Sequence, residues 1–456
     1  MHTLRVDSDE TLTPTYAGRS FSHDIPKFVL PPKGLASDAA YQLVHDELNL
    51  DGNPALNLAS FVTSWMEPHA DLLAAETLAK NLIDQDEYPQ SEVIHERVVT
   101  ITGRLFHAPP GGRATGTATI GSSEAIMLAM LAHMRSWQRR RDAAGEPTER
   151  PNMVLGADVH TCWEKFARYF EVEARVAPMA EDRFTIGAEQ VEPLLDERTI
   201  GVAGLLGTTF TGQSDDLTSI DALLQRIERE RGLRIPLHVD AASGGFIVPF
   251  ARPEERWDFR LPSVRSINVS NHKFGLVYPG MGTVVFRDAG DLPEELVFHI
   301  NYLGGDMPNY SLNFSRPSSS VILQYFAFLR LGREGYTQIV QSMLANSHAL
   351  ARRLAAIDGL AVITDGSEFP VVAARATEPE LDLFALSRLL RERGWIVPAY
   401  TLPADAEHVT VLRMVVKENF SRDMVDMLGS DVAASMHALR SKADRRPGKV
   451  RRRPHC

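Results

Sequence analysis

The segment Ser266-Ile-Asn-Val-Ser-Asn-His-Lys273-Phe-Gly275 ends a β-type apolar run, Ser266–Val269, in a short polar turn that presents Ser270, His272 and Lys273 together. A lysine held beside an imidazole and close to apolar chain has its ammonium form disfavoured, which leaves a free amine able to act as a nucleophile. The competing reading is a solvated lysine at a strand end. A second constellation is Leu237-His-Val-Asp240-Ala-Ala242-Ser-Gly-Gly245. An acid at the C-terminal end of a buried parallel strand lies where α/β folds bind ligands, and an aspartate there can pair with a protonated ring nitrogen. His238 and Asp240 share a strand face, as a metal pair would, but no further cluster of ligand spacing accompanies them. The third is Thr119-Ile-Gly121-Ser122-Ser123-Glu124, just ahead of a helical pattern. Glycine permits close backbone approach, the hydroxyls donate and a helix N-terminus favours an anion, so this stretch can cradle a phosphate; serine also caps helices for purely structural reasons. Gly280-Met-Gly282 completes neither a dinucleotide nor a P-loop fingerprint.

Taken together the three pieces say more. A phosphate cradle, then a strand-end aspartate, then a lysine 33 residues later supply one group for each pole of pyridoxal 5'-phosphate (PLP): the phosphate, the ring nitrogen and the aldehyde carbon. That is the order an enzyme of the aspartate-aminotransferase type requires.

Elements must hold these groups in place. Residues Ser123 to Arg141 carry an apolar stripe at helical spacing, with small polar residues ahead of it and arginines at its end, an order that suits the helix dipole. Further helices are expected over Ser219–Arg231 and Ser320–Leu331. Short apolar runs at Met153–Leu155, Ile200–Leu206, Leu237–Val239, Ser266–Val269 and Thr283–Phe286 alternate with helical stretches, which predicts an α/β region with a mostly parallel sheet. Strand-like Pro370–Ala373 and Val409–Val416 around a helix near Leu381–Arg393 predict a smaller C-terminal α+β domain. The expected divisions are an N-terminal segment 1–55, a large domain 56–320, a small domain 321–439 and a basic tail 440–456.

The sequence closely resembles the PLP-dependent glutamate decarboxylases of bacteria and plants, from about Ala39 to Met427. The resemblance is carried by Asp46-Glu-Leu-Asn-Leu-Asp-Gly52, Ile83-Asp-Gln-Asp-Glu-Tyr-Pro-Gln90, Ile120-Gly-Ser-Ser-Glu-Ala125, Cys162-Trp-Glu-Lys-Phe-Ala-Arg-Tyr169 and His238-Val-Asp-Ala-Ala-Ser-Gly-Gly245. It continues through His272-Lys273, Asn301-Tyr-Leu-Gly-Gly305, Asn313-Phe-Ser-Arg-Pro317 and Leu329-Arg-Leu-Gly-Arg-Glu-Gly335. It implies an α/β, aspartate-aminotransferase-like (fold type I) PLP enzyme that decarboxylates L-glutamate to γ-aminobutyrate. Carried over position by position, Lys273 is the Schiff-base lysine, His272 its phosphate-contacting neighbour, and Ser122, Ser123 and Ser270 further phosphate contacts. Asp240 becomes the partner of the ring nitrogen, Ala242 packs on the ring, and Thr209 lies near the cofactor oxygen and the substrate carboxylate. Arg413, which interrupts the apolar run Val409–Val416, would grip the α-carboxylate, a bidentate task that suits guanidinium. Ser60, Phe61, Asn81 and Asp84 stand at the positions that bind the side-chain carboxylate. An aspartate facing a carboxylate requires one of the two to be protonated.

Several positions depart from the family pattern. His160 stands where glutamate decarboxylases commonly carry Gln against the ring; imidazole stacks well and can transfer a proton. Asn271 replaces a Gly, and Thr283 a large aromatic. Ser318-Ser-Ser320 replaces a segment that usually bears Asn or Gln and reaches the partner subunit's phosphate, Ser60 replaces Thr, and Asn309-Tyr-Ser311 replaces a Thr-Phe-Thr-like stretch. These changes leave room for two alternatives: the same scaffold acting on another or modified amino acid, oxidative or other PLP chemistry included, and a silent paralogue kept as a binding protein.

The 456 residues carry a net charge of −11, unevenly spread: eight Lys/Arg against one Asp in 440–456 leave −18 on the rest. An acidic body argues against general nucleic-acid affinity. Two lone cysteines, Cys162 and Cys456, exclude a disulfide scaffold, and no run reaches the length of a membrane span, so a cytoplasmic enzyme is expected. The resemblance further implies a homodimer with shared active sites, in some bacterial relatives assembled into hexamers. His455 occupies the penultimate position from which, in some bacterial relatives, a histidine plugs the site at neutral pH.

Overall fold

The computed structural model describes residues 27–300, 307–378 and 380–444. The stretch Asn301–Gly305, His455 and Cys456 lie outside them. The chain forms two compact units, residues 1–56 and 57–456. In the first, helix α1 (Ser37–Leu48) bears exposed Tyr41 and Val44, and Phe28, Leu30 and Leu50 are likewise exposed.

The second unit contains every position assigned to the site. Helices α2 (Pro68–Thr77) and α3 (Pro89–Leu105) lead into strand β1 (Gly116–Thr119) and the long helix α4 (Ser122–Ala144). There follow β2 (Asn152–Gly156), α5 (Cys162–Tyr169), β3 (Glu173–Ala177), the short α6 (Ala188–Val191), β4 (Thr199–Leu205), α7 (Leu217–Arg231) and β5 (Leu237–Asp240). The short α8 (Val248–Ala251), β6 (Val264–Val269) and β7 (Gly282–Phe286) complete a seven-stranded sheet of order β1-β7-β6-β5-β4-β2-β3. The pairs β3/β2, β2/β4, β4/β5 and β5/β6 are parallel, and β7 runs antiparallel to both its neighbours. The mostly parallel sheet expected from the alternating runs is thus present, and β1 and β3 join it although the sequence reading assigned no strand to either. Glu173–Ala177 is an edge strand with little burial, so it lacks the apolar run that marks the central ones.

Helix α4 buries Ile126, Met130, His133, Met134 and Trp137 along one stripe and ends at Gly145, whose φ of 70° is the left-handed turn that glycine favours. Beyond the hairpin of β8 (Phe298–Ile300) and β9 (Met307–Asn309) comes α9 (Ser319–Ala355). It breaks at Gly332 (φ 58°, ψ −173°), directly after the Leu331 at which the expected helix ended. A four-stranded antiparallel sheet of order β10-β11-β13-β12 follows, from β10 (Leu360–Asp365), β11 (Val371–Ala376), β12 (Ala399–Thr401) and β13 (Thr410–Val415), with α10 (Leu383–Glu392) and α11 (Arg422–Asp444) alongside in sequence. The basic stretch read as a tail from Arg440 starts as helix: α11 continues to Asp444, and Arg440 donates to Glu378 at 2.7 Å and to the Asp358 carbonyl at 3.0 Å.

The core of the large sheet divides by face. Val239 and Ile267 join Val202, Phe246, Trp257 and Tyr336 in one large apolar cluster. His238, Asp240, Ser266 and Asn268 alternate with them and are polar, although each is buried.

Candidate active site

The C-terminal ends of β5 and β6 and the N-terminus of α4 converge on a cavity of about 550 Å³. Ser122, Ser123, His160, Thr209, Asp240, Ala242, Ser270, His272 and Lys273 all line it. These are the nine positions the sequence reading assigned to the cofactor. The cradle forms where β1 turns into α4: the Ser122 and Ser270 hydroxyls are 2.7 Å apart, and no side chain caps the helix, so its first N–H groups are available to an anion. Gly121 is needed for close approach. A Cβ there would lie 3.0 Å from Cε1 of His272, whose ring closes the cradle's edge. The His272 Nδ1 accepts the Met281 N–H, and burial, with Lys273 beside it, lowers the ring's pKa to about 4.

At the opposite pole Asp240 accepts three hydrogen bonds. Its Oδ1 takes the Ala242 N–H (3.1 Å) and the Asn268 amide (2.9 Å), and its Oδ2 takes the Trp163 indole N–H (3.0 Å). Between the poles, Lys273 Nζ donates to Ser243 Oγ at 3.1 Å and lies 5.1 Å from the centre of the Phe61 ring. Burial lowers the pKa of this ammonium, with Arg413 adding to the effect and Asp240 opposing it. The direction of this shift is the one anticipated for the turn. His160 accepts the Cys162 N–H on Nδ1 at 3.3 Å, which in the neutral ring puts the proton on Nε2; burial and Lys273 lower its pKa.

Arg413 lies behind the lining. Its guanidinium donates to the carbonyls of Thr209 and Ala59 and sits between two aromatic faces, 5.0 Å from Phe61 and 5.6 Å from Tyr400. Its Nε is buried without a partner. The Phe61 ring is therefore within about 5 Å of both Lys273 Nζ and the Arg413 guanidinium. The strap 57–64 makes this meeting possible: Val415 N–H donates to Leu58 O, and Thr63 donates from N to His272 O and from Oγ1 to Lys273 O. Ser60 lies on this strap and its Oγ accepts the Val62 N–H. Asn81 and Asp84 are not among the residues lining the cavity. Asn81 is bound to the 315–317 stretch instead, through the Arg316 N–H and Ser315 Oγ, and Asp84 donates its backbone N–H to Asn81 O.

Two of the departures, Asn271 and Thr283, have a common structural account. Asn271 does not take the left-handed backbone that a Gly-to-Asn change allows for, being absent from the positive-φ residues. Its side chain turns inward, where Oδ1 accepts the Thr283 hydroxyl (2.8 Å) and Nδ2 donates to Gln324 (2.9 Å). Thr283 is small because Asn271 fills the space beside it. Gln324 in turn donates to the Gly275 carbonyl (3.2 Å) and to Tyr336 (3.1 Å). Sequence reasoning also missed Ser243, Glu124, Leu312 and Asn313. Glu124 accepts the N–H groups of Ile120, Leu312 and Asn313 and so draws the 312–313 stretch over the cradle. Ser243, Glu124 and Asn313 were within reach, since all three lie inside the stretches that carry the motifs and the resemblance.

Residues 32–376 match the family model of the pyridoxal-dependent decarboxylase conserved domain. The chain belongs to the pyridoxal-dependent decarboxylases. It is similar to a glutamate decarboxylase of Solanum lycopersicum, 47% identical over 97% of this chain and 89% of the relative, and to one of Listeria innocua, 40% identical over 95% of each. Among solved structures, a Lactobacillus brevis glutamate decarboxylase superposes with a TM-score of 0.90 at 42% identity, covering 94% of this chain and 98% of the other. A rice TDC solved with PLP shares the fold at 15% identity with a TM-score of 0.73. This family membership makes the protein a carboxy-lyase with PLP as cofactor. The site fits that group: an anion cradle, a carboxylate with an Oδ2 that carries a single donor, and an ammonium disfavoured by burial line one cavity.

Proposed function

We propose that this decarboxylase converts L-glutamate to γ-aminobutyrate and CO₂. The observation that carries the reading is the meeting of Lys273, Phe61 and Arg413 beside a cavity whose far ends are the serine cradle and Asp240. The identities to glutamate decarboxylases over nearly the whole chain support it.

In this reading Ser122, Ser123, Ser270 and His272 hold the cofactor phosphate, Ala242 packs on its ring, and Asp240 faces the ring nitrogen. Lys273 is neutral often enough, by virtue of its burial, to engage the aldehyde carbon. Arg413 takes the substrate α-carboxylate; its buried, unpartnered Nε and its stacking between Phe61 and Tyr400 leave it a fixed direction from which to do so. When bound, PLP supplies the electron sink that receives the pair left as CO₂ departs. His160 lies in the same cavity and its Nε2 proton is available to the substrate carbon. Ser60 and Phe61, on the strap beside Lys273, are assigned to the distal carboxylate. In this reading Asn81 and Asp84, which do not line this chain's cavity, come to it from a second protomer, and the active unit is a homodimer with shared sites, open to further assembly as a hexamer. The exposed Phe28, Leu30, Tyr41 and Leu50 are a surface of the kind a second copy covers. Residues 56–320 then hold the cofactor and 321–439 supply Arg413. Among the described residues no helix is long and apolar enough to cross a membrane, in keeping with a cytoplasmic enzyme.

The test is to load the purified protein with PLP, supply a panel of amino acids, and follow CO₂ and amine by mass spectrometry. Stoichiometric γ-aminobutyrate from glutamate, with other amino acids slow, is expected. Preference for another amino acid, or a keto product in place of CO₂, would overturn the reading.

A further inference from the structure

Behind Asp240 runs a line of buried polar side chains that the reaction itself does not call on. Parallel strands β5 and β6 are in register so that His238 pairs with Ser266 and Asp240 with Asn268. All four project to the face on which α4 contributes His133. The links are short: His133 Nε2 to Ser266 Oγ, Ser266 Oγ to His238 Nδ1, and His238 Nε2 to Asn268 Oδ1 are each 2.7 Å, and Asn268 Nδ2 to Asp240 Oδ1 is 2.9 Å.

The direction of every proton in this line follows from its end. The Asn268 amide nitrogen faces the carboxylate and donates, so its oxygen accepts and His238 carries its proton on Nε2. Burial holds His238 neutral, its pKa lowered to about 4, and the ring then offers a lone pair on Nδ1. The Ser266 hydroxyl must donate to that lone pair, and its own oxygen accepts from His133 Nε2–H. His133, also pushed toward neutrality by burial, is the head of the chain. Each donor therefore points toward Asp240, and hydrogen bonds aligned in this way polarise one another in a low-dielectric interior. The chain runs from His133 on α4, which borders a second cavity lined by Arg140, Arg234 and Arg265, along the central strands β5 and β6 to the cofactor end.

We propose that His133, Ser266, His238 and Asn268 are positioning residues: a one-way donor chain that fixes the Asp240 carboxylate in the orientation required to receive the cofactor's ring nitrogen. The proposal rests on the assignment of Asp240 to that nitrogen. With Oδ1 occupied by Asn268 and the Ala242 N–H, and Trp163 on one side of Oδ2, the remaining Oδ2 lone pair is the one left to aim at the cavity. Donor and acceptor matching alone fixes the two tautomers; what separates a positioning role from simple satisfaction of buried polar groups is the effect of the chain on the cofactor's affinity and spectrum.

Two readouts decide it in the full-length protein. Nitrogen-labelled histidine should show His133 and His238 both neutral with the proton on Nε2. Ser266→Ala, which removes the central link, should raise the PLP dissociation constant about tenfold, the scale of one lost hydrogen bond, and shift the visible absorption bands of the loaded protein. His133→Leu should behave like Ser266→Ala, while His133→Gln, whose amide N–H stands in for Nε2–H, should keep wild-type affinity and spectrum. The idea is overturned if His238 carries its proton on Nδ1, if Ser266→Ala and His133→Leu both bind PLP as the wild type does, or if His133→Gln fares no better than His133→Leu. Should Ser266→Ala fail to fold, the paired His133 variants at the far end decide. A wild-type protein that takes up no PLP would sink the assignment of Asp240, and the tautomers would still report on the chain.

Discussion

Burial does more than hide side chains at this site; it sets their protonation. Lys273 and His272 lie close together, and loss of water disfavours the cationic form of both. Lys273→Ala should abolish the visible absorption of bound PLP and cut turnover by about a thousandfold or more, checked by spectrum and CO₂ release. Arg413→Lys should keep the charge yet lose the planar fork and the stacking on Phe61 and Tyr400. A fall in kcat/KM of roughly 10- to 100-fold, seen in steady-state kinetics, is expected. Asp158 is a different case. Both its carboxyl oxygens are buried without a partner, and burial, with Asp215 nearby, raises its pKa well above the ordinary range. The folded state thus keeps a proton that the unfolded chain releases, so the stability tied to it is complete below the unfolded pKa and is lost as pH rises toward the folded value. Asp158→Asn, always neutral, should raise the melting temperature, by more at about pH 8 than at about pH 4, as thermal scans at the two pH values would show.

At the scale of elements, the Lys273 turn is held from behind. The side chains of Asn271 and Thr283 share one space, and through Gln324 and Tyr336 they fasten the Gly275 carbonyl to α9. Thr283→Phe alone should overpack that space and destabilise by about 1–3 kcal/mol. Combined with Asn271→Gly it should recover part of the loss, giving a coupling of about 1 kcal/mol or more in a double-mutant cycle by denaturant unfolding. The break in α9 is set by one residue. Gly332 sits at φ 58°, ψ −173° with nothing within 4 Å of where a Cβ would be, so Gly332→Ala meets backbone strain and no clash. A loss of about 1–3 kcal/mol is expected from the same unfolding measurement.

For the whole molecule, the question is whether one chain suffices. The cavity contains the groups assigned to the cofactor, yet neither Asn81 nor Asp84 lines it, and Asn81 is bound to the 315–317 stretch. If a second protomer brings them to the site, co-expressing Lys273→Ala with Asp84→Ala chains should restore about a quarter of wild-type activity, because each hybrid dimer has one intact site. Neither variant alone should do so, and an assay of the purified mixture reads the result. The net charge of −11 is no obstacle to an anionic substrate, since Arg413 and the α4 N-terminus supply positive potential where it acts.

The lysine, the aspartate and the cradle were legible from the sequence, in the right order and on the right element ends. Each is set by a local strand-to-turn or turn-to-helix pattern, and such patterns are written in neighbouring residues. The parallel sheet was legible too, except for the half-exposed β3 and the short β1. What touches what across the fold was not. Arg413 and Phe61 meet Lys273 only because a strap near the start of the second unit and a strand near its end are pinned to the same turn. Thr283 and Asn271 read as separate oddities until they shared a hydrogen bond. The His133–Ser266–His238–Asn268 chain needs the register of β5 against β6 and the docking of α4, both chosen by long-range packing of the apolar faces. A sequence states which side of a strand a residue is on; only the folded molecule decides which residue stands opposite.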